Sequence, residues 1–297
     1  MKPDALTPFL NAARVDIDAS LDAVLPSEDG PAAPVFKAMR YAALGPGKRL
    51  RPALTLMTGA LFDAPRDQLL RAGAAIECIH AYSLAHDDLP AMDDDDARRG
   101  RPTTHIAFDE ATAILAGDGL LTFAFELAGD AGAFGDSGVA AALCLGLAKA
   151  SGAQGMVGGQ MADLAAERQH LDHEETARMQ ARKTGALIAF ACEAGAIVGR
   201  ADEKARGLLK EFGETLGLAY QIADDILDIE GEAAVVGKAV GKDADRGKAT
   251  LASFFGLEGA RKEARRLAAE ASGRLDVWGS EADLLRQAAT YVVDRDK

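Results

Sequence analysis

Leu216-Gly217-Leu218-Ala219-Tyr220-Gln221-Ile222-Ala223-Asp224-Asp225-Ile226-Leu227-Asp228 is the stretch on which the reading of this chain turns. Its apolar residues recur at helical spacing and close a longer periodic segment, 203–229, that reads as one helix. At about 100° per residue the three aspartates fall near 0°, 100° and 40°, on one face of that helix. Like charges so placed repel, and without compensation they destabilise the helix. Mg²⁺ is the natural compensation, because it is hard, takes oxygen ligands and commonly bridges carboxylates to substrate phosphates.

Working outward, the same helical periodicity covers 69–86, 111–128, 139–150, 176–198 and 260–275. Turn signals separate these segments: Pro26 to Pro34, Gly45-Pro46-Gly47, Asp130 to Gly138, and 231–247. Strands do not alternate with helices, which argues against a Rossmann or barrel reading, and no low-complexity linker divides the chain. The expectation is one all-α domain over 1–297. Glycines recur in the helical segments 185–199 and 213–217, where each costs about 1 kcal/mol against alanine. Either two helices pack closely there, or the backbone must approach or leave space for a ligand.

A second acidic cluster, Asp87-Asp88-Leu89-Pro90-Ala91-Met92-Asp93, continues as Asp94-Asp95-Asp96. On an ideal helix Asp87 and Asp93 would lie about 240° apart, on different faces. Pro90 removes a backbone donor and should end or kink the helix, and such a break could swing Asp93 back toward Asp87. An EF-hand loop starting at Asp93 would need glycine where Arg98 stands. Basic residues accompany both clusters: Lys48, Arg49 and Arg51; Arg98, Arg99 and Arg101; Lys183; and Lys238, Lys242 and Lys248. Such groups suit diphosphate oxygens. The stretch from Gly241 to Ala249 is not a P-loop, since it has one residue too many, alanine in place of Ser/Thr, and no preceding strand.

Composition bounds the function. The chain has 297 residues, 48% hydrophobic and 27% charged, with a formal net charge of −13, so there is ample material for a core. That charge argues against general nucleic-acid binding but not against an anionic substrate, since local cations or divalent metals can reverse the sign within one cleft. Cys78, Cys144 and Cys192 form no C-x-x-C pair, so neither a disulfide framework nor a cysteine zinc site is expected. No run approaches about 18 uncharged apolar residues, and Met1-Lys2-Pro3-Asp4 opens no secretory signal. A cytoplasmic protein without membrane insertion is the expectation.

Together the motifs resemble the trans-prenyltransferases, or polyprenyl synthetases, and most closely their bacterial farnesyl diphosphate synthases. The resemblance runs from about residue 35 to the C-terminus. It rests on Gly47-Lys48-Arg49-Leu50-Arg51-Pro52, on Glu77-Cys78-Ile79-His80-Ala81-Tyr82-Ser83-Leu84 leading into the D-D-x-x-x-x-D cluster, and on Arg98-Arg99-Gly100-Arg101-Pro102-Thr103. Gly158-Gly159-Gln160-Met161-Ala162-Asp163, Lys183-Thr184-Gly185-Ala186-Leu187 and Gln221 to Asp228 complete the set in the family's order. Pro46 departs from the pattern, standing where the family has the first of two glycines.

The resemblance implies an isoprenoid-synthase-type helical bundle around a central cavity, usually a homodimer. The implied reaction joins isopentenyl diphosphate head to tail to an allylic diphosphate, dimethylallyl or geranyl, and releases pyrophosphate, which serves as the base for the final proton. It implies Asp87, Asp93 and Asp224 as metal ligands, assisted by Asp88 and Asp228, for Mg²⁺ at three ions per site. Arg98, Lys183, Lys238 and Lys248 would hold the allylic diphosphate, and Lys48, Arg51, His80 and Arg99 the isopentenyl diphosphate. Thr184 and Gln221 match positions whose oxygens face the developing cation. Tyr82 and Ser83, five and four residues before Asp87, would set the chain length near the floor of the tail pocket, with farnesyl diphosphate the expected product.

Geranylgeranyl or geranyl diphosphate synthesis is the alternative within the class. A non-catalytic regulatory subunit is the alternative outside it, but such subunits usually lose aspartates from one cluster and here both are complete. A terpene cyclase would be expected to lack the element from Lys48 to Arg51, and a plain acidic scaffold explains none of the ordered motifs.

Overall fold

In a computed structural model of the chain, residues 4–27, 30–166, 171–236 and 250–294 are described, the side chains of 231–236 excepted. Helices dominate, and they divide between two compact units: Met1–Leu145 with Ile197–Arg200, and Gly146–Ala196 with Ala201–Lys297. The division falls inside a helix, so no linker marks it.

The first unit opens with α1 (Leu6–Val24), α2 (Ala33–Ala43) and α3 (Leu50–Ala60). Helix α1 buries Leu6, Ala13, Ile17 and Leu21, a stripe at helical spacing. Helix α4 (Arg66–Asp87) follows Pro65 and carries Asp67 in its first turn, where a carboxylate complements the helix dipole. It ends three residues before Pro90, as a missing backbone donor requires. A hairpin of β1 (Ala97–Arg98) and β2 (Arg101–Pro102) comes next, then α5 (Thr104–Ala107), α6 (Glu110–Gly129) and α7 (Ala131–Phe134). Asp109 caps α6 by accepting from the Thr112 amide at 2.8 Å. Among the described residues α6 is long and apolar enough to cross a membrane. Asp118 and Glu126 interrupt it, however, and Ala113, Ala116, Leu120, Ala124 and Leu127 are buried within this unit.

Helix α8 (Ser137–Ser151) leads into the second unit, where α9 (Met156–Ala166), α10 (His173–Gln180), α11 (Ala186–Val198), α12 (Glu203–Val236), α13 (Leu251–Gly273) and α14 (Asp283–Asp294) follow. Asp172 and Glu175 form a reciprocal capping box on α10. Helix α13 is broken at Gly256, whose φ of 64° and ψ of 162° leave the helical region. Ala219, Ile222 and Ile226 of α12 pack with Leu251, Ala252, Ala260, Ala264 and Leu267 of α13. The turn expected over 231–247 begins later, because α12 stays helical to Val236.

One local feature escapes periodicity. Between α10 and α11 the chain makes a π-helical turn, Ala181–Gly185, so the segment read as one helix over 176–198 carries an extra residue in its ladder. The glycines around it serve close packing. A Cβ on Gly213 would stand 2.6 Å from the Ala189 Cα, and one on Gly217 would stand 2.7 Å from the Gly185 Cα. Of the two readings left open for these glycines, helix–helix contact is the one observed.

Gly213→Ala should therefore destabilise the protein by about 1–3 kcal/mol, since the clash is with backbone that cannot rotate away. Urea unfolding of the variant against wild type checks this, and an unchanged midpoint would contradict the packing account.

Candidate active site

The first aspartate cluster is a helix end that folds back on itself. After α4 stops, the Asp93 amide donates to the Asp87 carbonyl at 2.8 Å, the Asp95 amide to the Asp88 carbonyl at 3.2 Å, and the Asp94 amide to the Leu89 carbonyl at 3.2 Å. Asp94 takes a left-handed conformation, φ 55°, within this turn. The break at Pro90 thus returns Asp93 to the end of α4 beside Asp87, as anticipated. Asp88 behaves differently from its neighbours. It is 3% exposed and accepts from Arg98 Nε at 2.6 Å, so its carboxylate holds an arginine. Burial pushes that carboxyl up from its ordinary range, and Arg98 beside it works in the opposite direction.

Arg98 comes from the hairpin, whose register pairs Ala97 with Pro102 and Arg98 with Arg101. Its two turn residues, Arg99 (φ 52°) and Gly100 (φ 78°), are both left-handed, the twist a two-residue hairpin favours. Arg99 donates to the Pro46 carbonyl at 2.7 Å. The Arg101 guanidinium lies 3.5 Å over the Tyr41 ring, and the Tyr41 hydroxyl donates to the Pro102 carbonyl at 2.8 Å. These contacts close a cleft lined by Arg49, His80, Asp88, Arg98, Arg99 and Arg101, among others. Pro46 therefore supplies an acceptor for Arg99 at the position where a glycine was expected.

His80 meets this cleft from α4. Burial, with the charges of Arg51, Arg99, Arg49 and Arg98, holds its imidazole well below the ordinary range, so the ring is neutral near pH 7. Arg51, in the first turn of α3, is thus close enough to act on His80, while Lys48 is exposed on the preceding turn. Neither Lys48 nor Arg51 is among the residues lining the cleft; Arg49 is. Its three nitrogens go inward, to Asp18, Glu77 and the Gly45 carbonyl. Glu77 was the available signal in the sequence, as a lone carboxylate inside an apolar helical run.

Tyr82 is buried on α4, with its ring edge-on to His86 at 5.8 Å between centroids. Burial, and then the charge of Asp87, push its hydroxyl up to about 12. The Ser83 hydroxyl donates to the His80 carbonyl at 3.0 Å.

In the second unit, Lys183 and Thr184 sit on the π turn, a form often found where a side chain is aimed at a site. Lys183 Nζ meets Asp163 Oδ2 of α9 at 2.6 Å. Thr184 Oγ1 donates to Gln221 Oε1 at 3.0 Å, Gln221 Nε2 donates to Asp225 Oδ1 at 3.0 Å, and the Ala252 amide donates to Asp225 Oδ2 at 3.2 Å. The second cluster therefore divides. Asp225, 4% exposed, is spent within the helix packing, whereas Asp224 is half-buried and Asp228 exposed. The start of α13 claims Asp225 as an acceptor, while the charge of Asp228 on the same helix still reaches it. Lys238, Lys242 and Lys248 lie outside the described residues.

Carboxylates are hard-oxygen donors of the kind Mg²⁺ takes: in the first unit the turn returns the Asp93 backbone to Asp87, and in the second Asp224 and Asp228 lie on α12. Among the described residues no three carboxylate, imidazole or thiol groups converge on one point. Phosphate oxygens and water would complete the shell, which is the usual coordination of Mg²⁺.

A family model described as Polyprenyl synthetase matches residues 33–284 and so spans both units. The chain is similar to the farnesyl diphosphate synthase of Escherichia coli (strain K12), 46% identical over 269 residues, 89% of this chain and 90% of the relative. It is also similar to the geranylgeranyl diphosphate synthase of Cyanophora paradoxa, 38% identical over 263 residues and 88% of each chain. Among solved structures, an FPP/GFPP synthase from Zymomonas mobilis aligns at a TM-score of 0.89 and 47% identity, over 97% of this chain and 98% of that one.

The depressed imidazole makes a pH prediction. Unfolding frees His80 to take a proton at its ordinary value, near 6.5, so stability from this group is present above that value and is lost as pH falls toward the lower folded one. Urea unfolding between pH 7.5 and 5.5 should show wild type losing more stability than His80→Gln. Parallel losses would mean that His80 is not held neutral.

Proposed function

This chain belongs to the polyprenyl synthetase family, and from that premise we propose that it is a prenyltransferase, a short-chain prenyl diphosphate synthase that joins isopentenyl diphosphate to allylic diphosphates with farnesyl diphosphate as the main product. The supporting observation is the arginine-lined cleft placed directly beside an aspartate turn, the two joined through Asp88 and Arg98. Although the chain carries a −13 formal charge, this cleft is lined by Arg49, Arg98, Arg99 and Arg101, a local field that suits a diphosphate.

Asp87, Asp93 and Asp224 would hold Mg²⁺, with Asp228 assisting through water. When bound, the metal neutralises the charge that builds on the departing diphosphate as the allylic C–O bond breaks. Arg98 and Lys183, with Lys238 and Lys248, orient that diphosphate by charge-assisted hydrogen bonds. Lys48, Arg51 and Arg99 hold the isopentenyl diphosphate, and neutral His80 can donate an N–H to the same phosphate. Thr184 has its hydroxyl hydrogen engaged by Gln221, so the lone pairs of its oxygen are what it offers to a positive carbon. The new carbon–carbon bond leaves a cation that loses a proton to the released pyrophosphate, so no side chain need act as base.

The acceptor cleft and the aspartate turn favour synthesis over a regulatory role. A homodimer is proposed because Ile114 and Leu115 of α6 and Leu145 of α8 are exposed at 44%, 57% and 58%, apolar surface that a second copy would cover. The three cysteines are free thiols, which suits the reducing cytoplasm proposed for it. A longer product is the second reading, favoured by the similarity to an FPP/GFPP synthase.

Chain length gives the test. Purified protein with isopentenyl and dimethylallyl diphosphates and Mg²⁺ should give mainly C15 product, read by mass spectrometry after dephosphorylation. Tyr82→Ala removes a buried ring that would block tail extension, and should move the distribution to C20 and longer. No condensation product from wild type would overturn the function, and an unchanged distribution in Tyr82→Ala would overturn the role of Tyr82.

A further inference from the structure

Arg49, the middle cation of the G-K-R-L-R-P element, faces inward. Its Nε reaches Asp18 of α1 at 2.7 Å, its Nη1 reaches Glu77 of α4 at 2.7 Å, and its Nη2 reaches the Gly45 carbonyl at 2.8 Å. Every nitrogen of the guanidinium is committed, and its side chain and that of Glu77 are each 4% exposed. Its backbone is also unusual, with φ 51° and ψ 34°, the left-handed region that a residue with a Cβ enters only at a cost. Such a conformation persists where the surroundings over-determine it. Three charge-assisted hydrogen bonds to three separate stretches of chain are that over-determination.

The position explains why the conformation is held. Arg49 is the N-cap of α3, with Lys48 immediately before it and Arg51 in the first helical turn after it. Glu77 lies three residues before His80, so on α4 the two stand on adjacent turns of one face. Gly47 is confined by the same group, since a Cβ there would come within 3.2 Å of Arg49 Nη1 and 2.7 Å of Arg99 Nη1. One buried guanidinium therefore fixes the entry angle of α3 against α4, and with it the spacing of Lys48 and Arg51 from His80 and Arg99. We infer that Arg49, locked by Glu77 and Asp18, is a positioning residue for the isopentenyl diphosphate site. This rests on the function proposed above. Each of its nitrogens already serves a protein acceptor and its side chain is 4% exposed, so Arg49 positions the site rather than binding the phosphate.

Removing Arg49 leaves Glu77 buried without its partner, which can unfold a protein outright, so Asp18→Asn is the companion variant. Asp18 is 42% exposed, and losing its charge spares the pair between Arg49 and Glu77. Steady-state kinetics, thermal melting and isothermal titration with isopentenyl diphosphate alone are measured on both variants and on Arg49→Lys. Arg49→Gln should weaken isopentenyl diphosphate, in KM and in Kd, by about tenfold or more, as misplacement of a binding group does. Arg49→Lys, which keeps the charge but not the fork, should recover part of that loss, and Asp18→Asn should weaken binding by about threefold. KM for the allylic substrate should stay within about twofold in all three. Equal rises for both substrates, or an unchanged Kd with only a lower melting temperature, would overturn the positioning role. Wild-type turnover judges the reaction separately, since the titration needs no condensation to report on Arg49.

Discussion

The ion pair between Asp88 and Arg98, 2.6 Å long with Asp88 almost fully buried, organises the first unit. An aspartate-rich turn at the end of α4 would repel itself, and an arginine hairpin on its own would splay. Arg98 resolves both by also reaching Asp95 at 3.3 Å, so the turn is clasped from within. A pair with one buried partner is a poor source of net stability, because desolvation of Asp88 offsets much of the attraction. What it supplies here is geometry: the turn that returns Asp93 to Asp87 and the cleft lined by arginines share one anchor.

Under the proposed function that geometry offers two solutions to holding a diphosphate. Around the cleft, cations and a neutral histidine would meet one diphosphate without metal. At the aspartate motifs like charge would face like charge, an arrangement that becomes favourable only with a divalent cation between. The second unit is ordered by its own packing. Its π turn and the glycines opposite it let backbones approach closely, and Thr184, Gln221 and Asp225 form a chain of hydrogen bonds that ends on the first amides of α13.

Much of this was legible in the sequence. The extents of α4 and α6 and the start of α12 follow from periodicity, and the rigid ring of Pro90 correctly marked the break that brings Asp93 back. The hairpin was not legible, because strands of two residues have no period to detect; only the pair Arg99-Gly100 hinted at a turn. Nor was the π turn, since a single extra residue in a helix leaves the apolar pattern nearly intact. Arg49 was misjudged by company, as one of three similar cations, although Glu77 in the run Ala72 to Ile79 required a buried partner. Helix α1 was overlooked even though Leu6, Ala13, Ile17 and Leu21 mark it. Asp225 shows the limit of face counting, because spacing places a carboxylate on a face without saying which neighbour will claim it.

Calorimetric titration of the wild-type protein tests most directly whether the proposed two diphosphates are held by different chemistry. Isopentenyl diphosphate should bind in the presence of excess chelator with an affinity within about twofold of that in Mg²⁺, since the Asp87 and Asp224 motifs take no part. A non-hydrolysable allylic diphosphate analogue should bind only when Mg²⁺ is present, and Asp87→Ala should abolish that dependence together with the binding. Metal-independent binding of the allylic analogue, or loss of isopentenyl diphosphate binding in chelator, would contradict the account.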